Sequence, residues 1–287
     1  MELTGVIGGS GLYELEGFEV EARRVVDTPF GRPSDEVVVG KLEGRPVAFL
    51  PRHGRDHRFN PSQVNYRANI YALKLLGATR VISVSAVGSM KEEIRPGHVV
   101  LVDQFIDRTV SRPRTFFEDG IAAHVGFADP ICEDLRRTLV RATEAAGVPF
   151  HDGGTYVCIE GPQFSTRAES RLFRSWGVSV IGMTNLPEAR LAREAELAYA
   201  TIALATDYDC WHEDEADVSV EAVVAVLQQN VANAKRIVRG ALLALPPVCE
   251  SPARTALTHA IMTHKDAITP ELRARLAALI GKQAPAE

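Results

Sequence analysis

The stretch AYATIALATDYDCW at residues 198–211 places an apolar run directly before two carboxylates. A near-continuous apolar run of this kind is typical of a strand buried on both faces of a parallel sheet. Asp207 and Asp209 follow at the point where that strand should end. Taken alone, they fit four roles: metal ligands, a catalytic acid pair, contacts for the polar edge of a substrate, or a solvated loop.

The rest of the chain alternates predicted strands and helices. Strands are predicted at 3–8, 36–42, 46–50, 80–86, 98–103, 155–161, 178–183 and 198–206, and helices begin at Asn60-Pro61, Asp129-Pro130, Thr166, Pro187 and Val218. This order predicts one α/β domain over residues 1–245, with a mostly parallel sheet covered on both faces. A helical extension of unknown role is predicted over 246–287, and the Pro-rich stretch 245–252 lies at its start.

Composition argues against several classes of protein. The 287 residues are 46% hydrophobic and carry a net charge of −5, with no Lys/Arg-rich block that would bind nucleic acid. No apolar run approaches the roughly 18 residues of a membrane helix, and the N-terminus lacks the pattern of a signal peptide. Cys132, Cys158, Cys210 and Cys249 stand singly, which favours free thiols over a metal site. We expect a cytoplasmic protein that binds neither nucleic acid nor membranes.

Polar clusters follow six of the predicted strands. They are GGSG (8–11), RHGRDH (52–57), SAVGS (85–89), EGPQFS (160–165), MTN (183–185) and TDYD (206–209). Ligands of parallel sheets bind at the carboxyl ends of the strands. The six clusters are therefore predicted to meet at one site.

Two of these clusters suggest an anion. GGSG matches a dinucleotide fingerprint poorly, but its backbone N–H groups and the Ser10 hydroxyl suit an anion, the alternative being a turn without a ligand. In RHGRDH, Arg52 offers a planar fork to phosphate or carboxylate, and His53 can donate to the same anion. The alternative there is a solvated surface charge cluster.

The remaining clusters offer hydroxyls, an aromatic ring and carboxylates. Ser85 and Thr184 suit an anion or a ribose better than serine hydrolysis, because no G-x-S-x-G elbow is present, although Ser85 also fits a simple strand end. Phe164 either stacks on a planar base or belongs to the core, and Glu160 would pair with sugar hydroxyls or with an arginine of the anion cluster.

Asp207 and Asp209 would project to one side if the strand stayed extended. No further His or carboxylate lies at a spacing that would complete a metal site. Two carboxylates on one face also cannot act from opposite sides of a glycosidic bond. A partly buried Asp with a raised pKa can instead give a proton to a ring nitrogen or accept from an exocyclic amine.

Several long stretches resemble one known family. RHGRDH, GSMKEEIRPGHVVLVDQFIDRT, EGPQFSTRAES and MTNLPEARLAREAELAYATIALATDYDCW are similar to segments of the trimeric purine nucleoside phosphorylases. The resemblance runs from about residue 3 to 245. It implies the nucleoside phosphorylase fold with a mixed sheet, a homotrimer or dimer of trimers, and phosphorolysis of a nucleoside with inorganic phosphate as co-substrate and no cofactor or metal.

The resemblance also assigns residues. A phosphate site would comprise Ser10, Arg52, His53, Ser85, Ala86 and Thr184, and Asp207 and Asp209 would be catalytic and face the purine. The substrate would further contact Phe164, Ser165, Met183 and His57, the 5′-alkylthio pocket would comprise Val220, Val223 and Val224, and His124 would come from a neighbouring subunit. Asn185 departs from the Thr expected there and puts the ribose and base contacts in question.

These assignments imply cleavage of 5′-methylthioadenosine to adenine and 5-methylthioribose 1-phosphate. Asp at 207 suits a 6-aminopurine, whereas Asn would suit a 6-oxopurine. The alternatives are a phosphorylase of methylthioinosine, inosine or guanosine, and a nucleoside-binding protein without turnover.

Overall fold

The computed structural model describes residues 1–9, 12, 14–212 and 220–281, and for 220–225 and 227–229 it describes the backbone alone. Eleven of the described segments form one sheet. They are β1 (Leu3–Gly8), β2 (Phe18–Arg24), β3 (Val37–Leu42), β4 (Arg45–Pro51), β5 (Ala78–Ser89), β6 (Val99–Leu101), β7 (Gln104–Arg108), β8 (Phe150–Asp152), β9 (Thr155–Ile159), β10 (Val180–Gly182) and β11 (Ala198–Asp207).

The sheet is mixed and mostly parallel, as predicted. Its longest strand, β5, pairs in parallel with β1 and β11 and antiparallel with β10. Parallel pairs also join β1 to β4, β6 to β8, β7 to β9 and β9 to β10. The antiparallel pairs are β2 with β3, β3 with β4, and β6 with β11. The α/β fold class is therefore confirmed.

Strand β11 lies where the apolar pattern placed it. Nine of its ten residues are buried, and only Asp207 at its end is partly exposed. Its register with β5 sets Ala203 opposite Ser85 and, after a register shift, Asp207 opposite Gly88. The sheet thus carries two of the predicted polar clusters to the same edge.

Three strands escaped prediction. β2 is mostly exposed and carries the charged sequence FEVEARR, so it lacks the apolar signal. β7 and β8 are only five and three residues long. All three lie at the periphery of the strand order or pair with a single strand.

The helices are α1 (Tyr66–Leu75), α2 (Glu133–Ala145), α3 (Arg167–Ser175), α4 (Asn185–Glu194), α5 (Val220–Ala244), α6 (Pro270–Arg275) and α7 (Ala277–Ile280). The predicted capping box of α3 is present, with Thr166 and Glu169 bonding reciprocally. Within the described ranges, no helix is both long enough and apolar enough to cross a bilayer.

Two predicted helix starts are wrong. Asn60 accepts from the backbone N–H of Ser62 and Gln63, but this cap closes a single turn, and α1 begins at Tyr66 under a new cap from Asn65. Helix α2 begins at Glu133, three residues after Pro130, and the extended Cys132 before it donates its N–H to Tyr199 O. At Asn60 a local start signal is thus satisfied without a long helix.

The extension from residue 246 packs against the same core. Leu257, Leu276 and Leu279 are almost completely buried in the main hydrophobic cluster. The Tyr71 hydroxyl on α1 donates to Arg275 O and accepts from Ala278 N. The division of the chain at 245/246 stays a prediction, and α7 of the extension packs against α1.

Candidate active site

One cavity of about 330 Å³ opens at the carboxyl ends of the central strands. Residues from all six predicted polar clusters line it. The predicted site residues among its lining are Arg52, His53, His57, Ser85, Ala86, Phe164, Ser165, Met183, Thr184, Asp207 and Asp209. The prediction that the six strand ends meet at one site is therefore confirmed.

The other predicted residues are not in this lining. His124 is exposed, and its backbone N–H donates to Ala260 O. Ser10 lies outside the described residues, as do the side chains of Val220, Val223 and Val224. Asn185 is fully buried behind the cavity wall, where its amide bonds to Ser83, Tyr199 and Thr201. Its departure from Thr therefore does not bear on direct ribose or base contacts.

Arg52 stands at the anion end of the cavity and is 2% exposed. Its Nε and Nη2 donate to the two oxygens of Glu188 at 2.8 and 3.0 Å. The Nε/Nη2 edge of the fork is thus bound to a carboxylate of the protein itself, and the assignment of Arg52 to a phosphate site stays a prediction. Nη1 donates to Val84 O at 2.9 Å. Burial opposes the charge on Arg52, but Glu188 raises the pKa of the guanidinium above its ordinary value.

His53 is a neutral ring beside this arginine. Its Nδ1 lies 2.8 Å from Phe59 O, and a carbonyl only accepts, so Nδ1 carries the proton. Burial and the charge of Arg52 lower the pKa of His53 to about 4. At neutral pH its Nε2 therefore holds a lone pair, and the ring accepts a hydrogen bond where a donated one was expected. His57 stacks on it, with ring centroids 4.2 Å apart.

Hydroxyl groups line the cavity between Arg52 and His53 on one side and Asp207 and Asp209 on the other. Ser85 Oγ lies 3.1 Å from Thr184 Oγ1 and 3.4 Å from the Tyr156 hydroxyl. Ser85 and Thr184 are 5% and 6% exposed, so each reaches the cavity from a largely buried position. Such hydroxyls can donate to a bound anion or to a sugar oxygen.

Asp207 and Asp209 line the opposite end. Asp207 Oδ1 accepts from the Asp209 N–H at 2.8 Å, and Oδ2 accepts from Thr206 Oγ1 at 2.7 Å. The chain does not stay extended, because Asp209 has φ 55° and turns back toward the cavity. Burial raises the pKa of both carboxyls, and for Asp209 the charge of Asp207 raises it further. Both groups are thereby biased toward the protonated form, which can donate.

A close strand approach holds Asp207 in place. A Cβ at Gly88 would lie 3.0 Å from Asp207 Oδ1, so only glycine lets this strand approach the carboxylate closely. Within the described part of the chain, no three His, Cys, Asp or Glu side chains are grouped to hold a metal ion.

The wall between the two ends is braced by a residue that sequence reasoning missed. Arg112 is buried, and its Nη1 donates to Met183 O and Leu186 O, while Nη2 donates to Glu160 O. It thus ties the ends of β9 and β10 together. Arg112 lies in SRPRT, which carries no periodicity or motif from which this role follows.

Glu160 braces the rim and does not line the cavity. Its carboxylate accepts from the hydroxyls of Ser62 and Ser111 and from the N–H of Val110. These hydrogen bonds and the charge of Arg112 outweigh burial and lower the pKa of Glu160 to about 2. The expectation that it pairs with a sugar or with the anion cluster is therefore wrong.

Phe164 and Ser165 stand beside this rim at the base end. Phe164 is 42% exposed at the mouth of the cavity and is not a core residue. The Ser165 hydroxyl is buried and has no hydrogen-bond partner among the described residues. The arrangement as a whole offers anion contacts at one end and two protonatable carboxyls beside an aromatic ring at the other.

Comparison with known proteins places this geometry in a family. The sequence profile of the phosphorylase superfamily matches residues 4–243. The chain is 60% identical to S-methyl-5′-thioadenosine phosphorylase of Geobacter sulfurreducens over 281 residues, which cover 98% of both chains.

Two solved structures are similar to it. A crystal structure of methylthioadenosine phosphorylase from an antarctic soil metagenomic library superposes with a TM-score of 0.92 at 50% identity, covering 96% of this chain and 98% of that one. Methylthioadenosine phosphorylase from Schistosoma mansoni in complex with adenine gives 0.81 at 38% identity, covering 85% and 91%. By sequence profile, by identity over nearly its full length and by fold, the chain belongs to the phosphorylase superfamily.

Proposed function

We propose that this protein cleaves S-methyl-5′-thioadenosine with inorganic phosphate, giving adenine and 5-methylthioribose 1-phosphate. The observation that carries the proposal is the pair of carboxyls, Asp207 and Asp209, with raised pKa in the same cavity as Arg52 and His53. The names of the similar proteins support the same substrate.

Phosphate would bind at the end of the cavity formed by Arg52 Nη1, Ser85 and Thr184. These groups donate, and together they fit the several acceptor oxygens of the anion. Neutral His53 offers a lone pair at Nε2, so it would accept the proton that a phosphate monoanion or dianion still carries. Ser10 and the backbone of Ala86 are expected to complete the site from the family resemblance.

The base would lie between Phe164 and the two carboxyls. As the C1′–N9 bond breaks, positive charge develops on the sugar, and the bound phosphate stabilises it before forming the new C1′–O bond. Protonated Asp207 gives its proton to N7, so adenine leaves as a neutral molecule. Asp209 would accept a hydrogen bond from the exocyclic amine. No step requires a cofactor or a metal.

Asp207 also favours adenine over a 6-oxopurine. Purine N7 is an acceptor in both bases, but the 6-amino group donates, and two carboxyls can serve both contacts. An asparagine at 207 would suit a 6-oxo base better, and this chain has Asp. For the 5′-substituent, Val220, Val223 and Val224 are small apolar residues that suit a thioether better than a hydroxyl.

The quaternary proposal is a homotrimer or a dimer of trimers, acting in the cytoplasm. His124 is exposed and does not line the cavity of its own chain, as expected of a residue that reaches a neighbour's site. In this arrangement His57 would lie near the 5′ end of the substrate. We expect neither nucleic acid nor a membrane as a partner.

Incubation with phosphate and a panel of nucleosides tests the proposal. The panel is methylthioadenosine, methylthioinosine, adenosine and inosine, and the free base is measured with and without phosphate. We expect adenine from methylthioadenosine only when phosphate is present. No release of adenine would refute the proposal, and release without phosphate would indicate a hydrolase.

A further inference from the structure

A cluster of polar side chains lies behind the wall of the cavity and contributes nothing to its lining. Its members are Glu188, Ser83, Asn185 and Tyr199, which are between 0% and 2% exposed. Burying so many polar groups is unfavourable unless each one is hydrogen-bonded. Glu188 and Ser83 bond directly to Arg52, which lines the cavity.

Glu188 is the centre of this cluster. Its Oε2 accepts from Arg52 Nε at 2.8 Å. Its Oε1 accepts from Arg52 Nη2, Ser83 Oγ and the Tyr199 hydroxyl, at 3.0, 2.9 and 2.9 Å. The carboxylate therefore binds the Nε/Nη2 edge of the guanidinium, in the bidentate geometry that fixes the plane of the guanidinium.

The remaining members hold the carboxylate in place. Ser83 Oγ accepts from Arg52 Nη2 at 2.6 Å and from Asn185 Nδ2 at 3.0 Å while it donates to Glu188. The Tyr199 hydroxyl likewise accepts from Asn185 Nδ2, at 2.6 Å. Each hydroxyl thus donates once and accepts at least once, so the network is closed and Glu188 cannot rotate without breaking several bonds.

A count of donors shows what is left for the anion. Arg52 Nε has one hydrogen, bound to Glu188, and the two hydrogens of Nη2 have partners in Glu188 and Ser83. Nη1 has two hydrogens and, among the described residues, one partner, Val84 O at 2.9 Å. One N–H of Nη1 is therefore available to the cavity, and its direction depends on the plane that Glu188 sets.

We propose that Glu188 is a positioning residue of the phosphate site, which, with Ser83, Asn185 and Tyr199, holds Arg52 so that a single Nη1 N–H meets the anion. The proposal rests on the proposed phosphorolysis. It also gives the asparagine of MTN a role, because Asn185 supplies the amide that both hydroxyls accept from.

Stability alone is a weak explanation for this network. A buried ion pair is often no more stabilising than apolar residues of the same volume, because desolvation of the two charges opposes their attraction. An effect confined to orientation predicts a specific kinetic signature. A change in the position of the Glu188 carboxylate should weaken phosphate binding and leave nucleoside binding unchanged, since the base end of the cavity does not touch the network.

The test compares Glu188→Asp, Glu188→Gln and Tyr199→Phe. Glu188→Asp keeps the charge but withdraws it by one methylene, and Glu188→Gln keeps the length but removes the charge. We expect both to raise the KM for phosphate about tenfold or more, the effect of losing a charge-assisted hydrogen bond, with the KM for methylthioadenosine changed less than about twofold. Glu196→Asp is the control, because this buried glutamate binds the Leu257 N–H and touches neither Arg52 nor the cavity.

Tyr199→Phe keeps the test decisive if the Glu188 variants do not fold. It removes one donor to Glu188 and leaves Asn185 with Ser83 and Thr201 as acceptors, so the fold should survive. We expect the KM for phosphate to rise about threefold, the effect of one weakened hydrogen bond. Phosphate binding by titration calorimetry without nucleoside should weaken by the same factor.

Three results would overturn the proposal. The first is an unchanged KM for phosphate in folded Tyr199→Phe and Glu188→Asp. The second is that these variants lose stability and nothing else. The third is a lower KM for phosphate in Glu188→Gln, which would mean that Glu188 acts only by opposing the charge of Arg52. Failure of the proposed function is a separate result, because wild-type protein would then release no adenine.

Discussion

Replacing Asp207 with asparagine should stop proton donation while leaving the site intact. The two oxygens of Asp207 accept from Asp209 N–H and Thr206 Oγ1 at 2.8 and 2.7 Å. In Asp207→Asn the amide oxygen can keep the first bond. The amide nitrogen can donate to Thr206 Oγ1, whose own hydrogen is within reach of Val87 O at 3.2 Å. The change is therefore nearly isosteric, and we expect the free energy of unfolding to change by less than about 1 kcal/mol.

The magnitude of the kinetic effect follows from the role. A positioned general acid contributes about 10²- to 10⁴-fold, or about 3 to 5 kcal/mol of activation free energy. We expect kcat for adenine release to fall within this range, with the KM for methylthioadenosine changed less than about threefold. Burial raises the pKa of Asp207, and the acid acts when protonated. Wild-type kcat should therefore fall as pH rises through that pKa, and this limb should be missing in the variant.

The assay is steady-state release of adenine at saturating phosphate across pH, with release of hypoxanthine from methylthioinosine measured in parallel. Asp103→Asn is a matched control, because Asp103 is an exposed carboxylate that accepts from Gly154 N–H outside the cavity. Its kcat should stay within about twofold of wild type. An unchanged adenine rate in Asp207→Asn would refute the proton donor, and an equal fall in adenine and hypoxanthine release would refute its role in choosing the base.

Three further changes test other parts of the structure. Gly88→Ala places a Cβ 3.0 Å from Asp207 Oδ1, so kcat should fall about tenfold or more with the fold retained, as steady-state rates and thermal melts would show. Burial raises the pKa of Glu194 from 4.5 to about 7, so the folded state holds its proton longer than the unfolded state. Stability should then decline by about 2 to 3 kcal/mol between pH 4.5 and 7 relative to Glu194→Gln in urea unfolding, and parallel curves would contradict this. Leu257→Ala removes a fully buried side chain of the extension and should cost about 2 to 5 kcal/mol, whereas a loss below 1 kcal/mol would mean that the extension is not part of the core.

The sequence predicts the parts of the site that follow from periodicity. The apolar run before Asp207 places that residue at the end of a buried strand, and the same reasoning brings Arg52 and Ser85 to one edge, because parallel neighbours end on the same side. Thr184 reaches this edge although β10 runs antiparallel to β5, which strand alternation does not predict.

Contacts between residues that are far apart in the sequence cannot be predicted from periodicity. Glu188 and Arg52 are 136 residues apart in the sequence, and nothing in LPEAR indicates that the Glu188 carboxylate binds the Arg52 guanidinium. The direction of His53 likewise depends on Phe59 O, a backbone atom six residues away, and this contact turns an expected donor into an acceptor. Local signals can also be complete and still mislead, as Asn60 does when its cap closes one turn.

The ratio of kcat/KM for methylthioadenosine to that for methylthioinosine, at saturating phosphate, tests the central claim most directly. The two substrates differ only at the 6-position of the base, which the two carboxyls at 207 and 209 are proposed to read. We predict a ratio well above one, with adenine and 5-methylthioribose 1-phosphate formed in equal amounts. A ratio below one, or adenine formed without the sugar phosphate, would contradict the account.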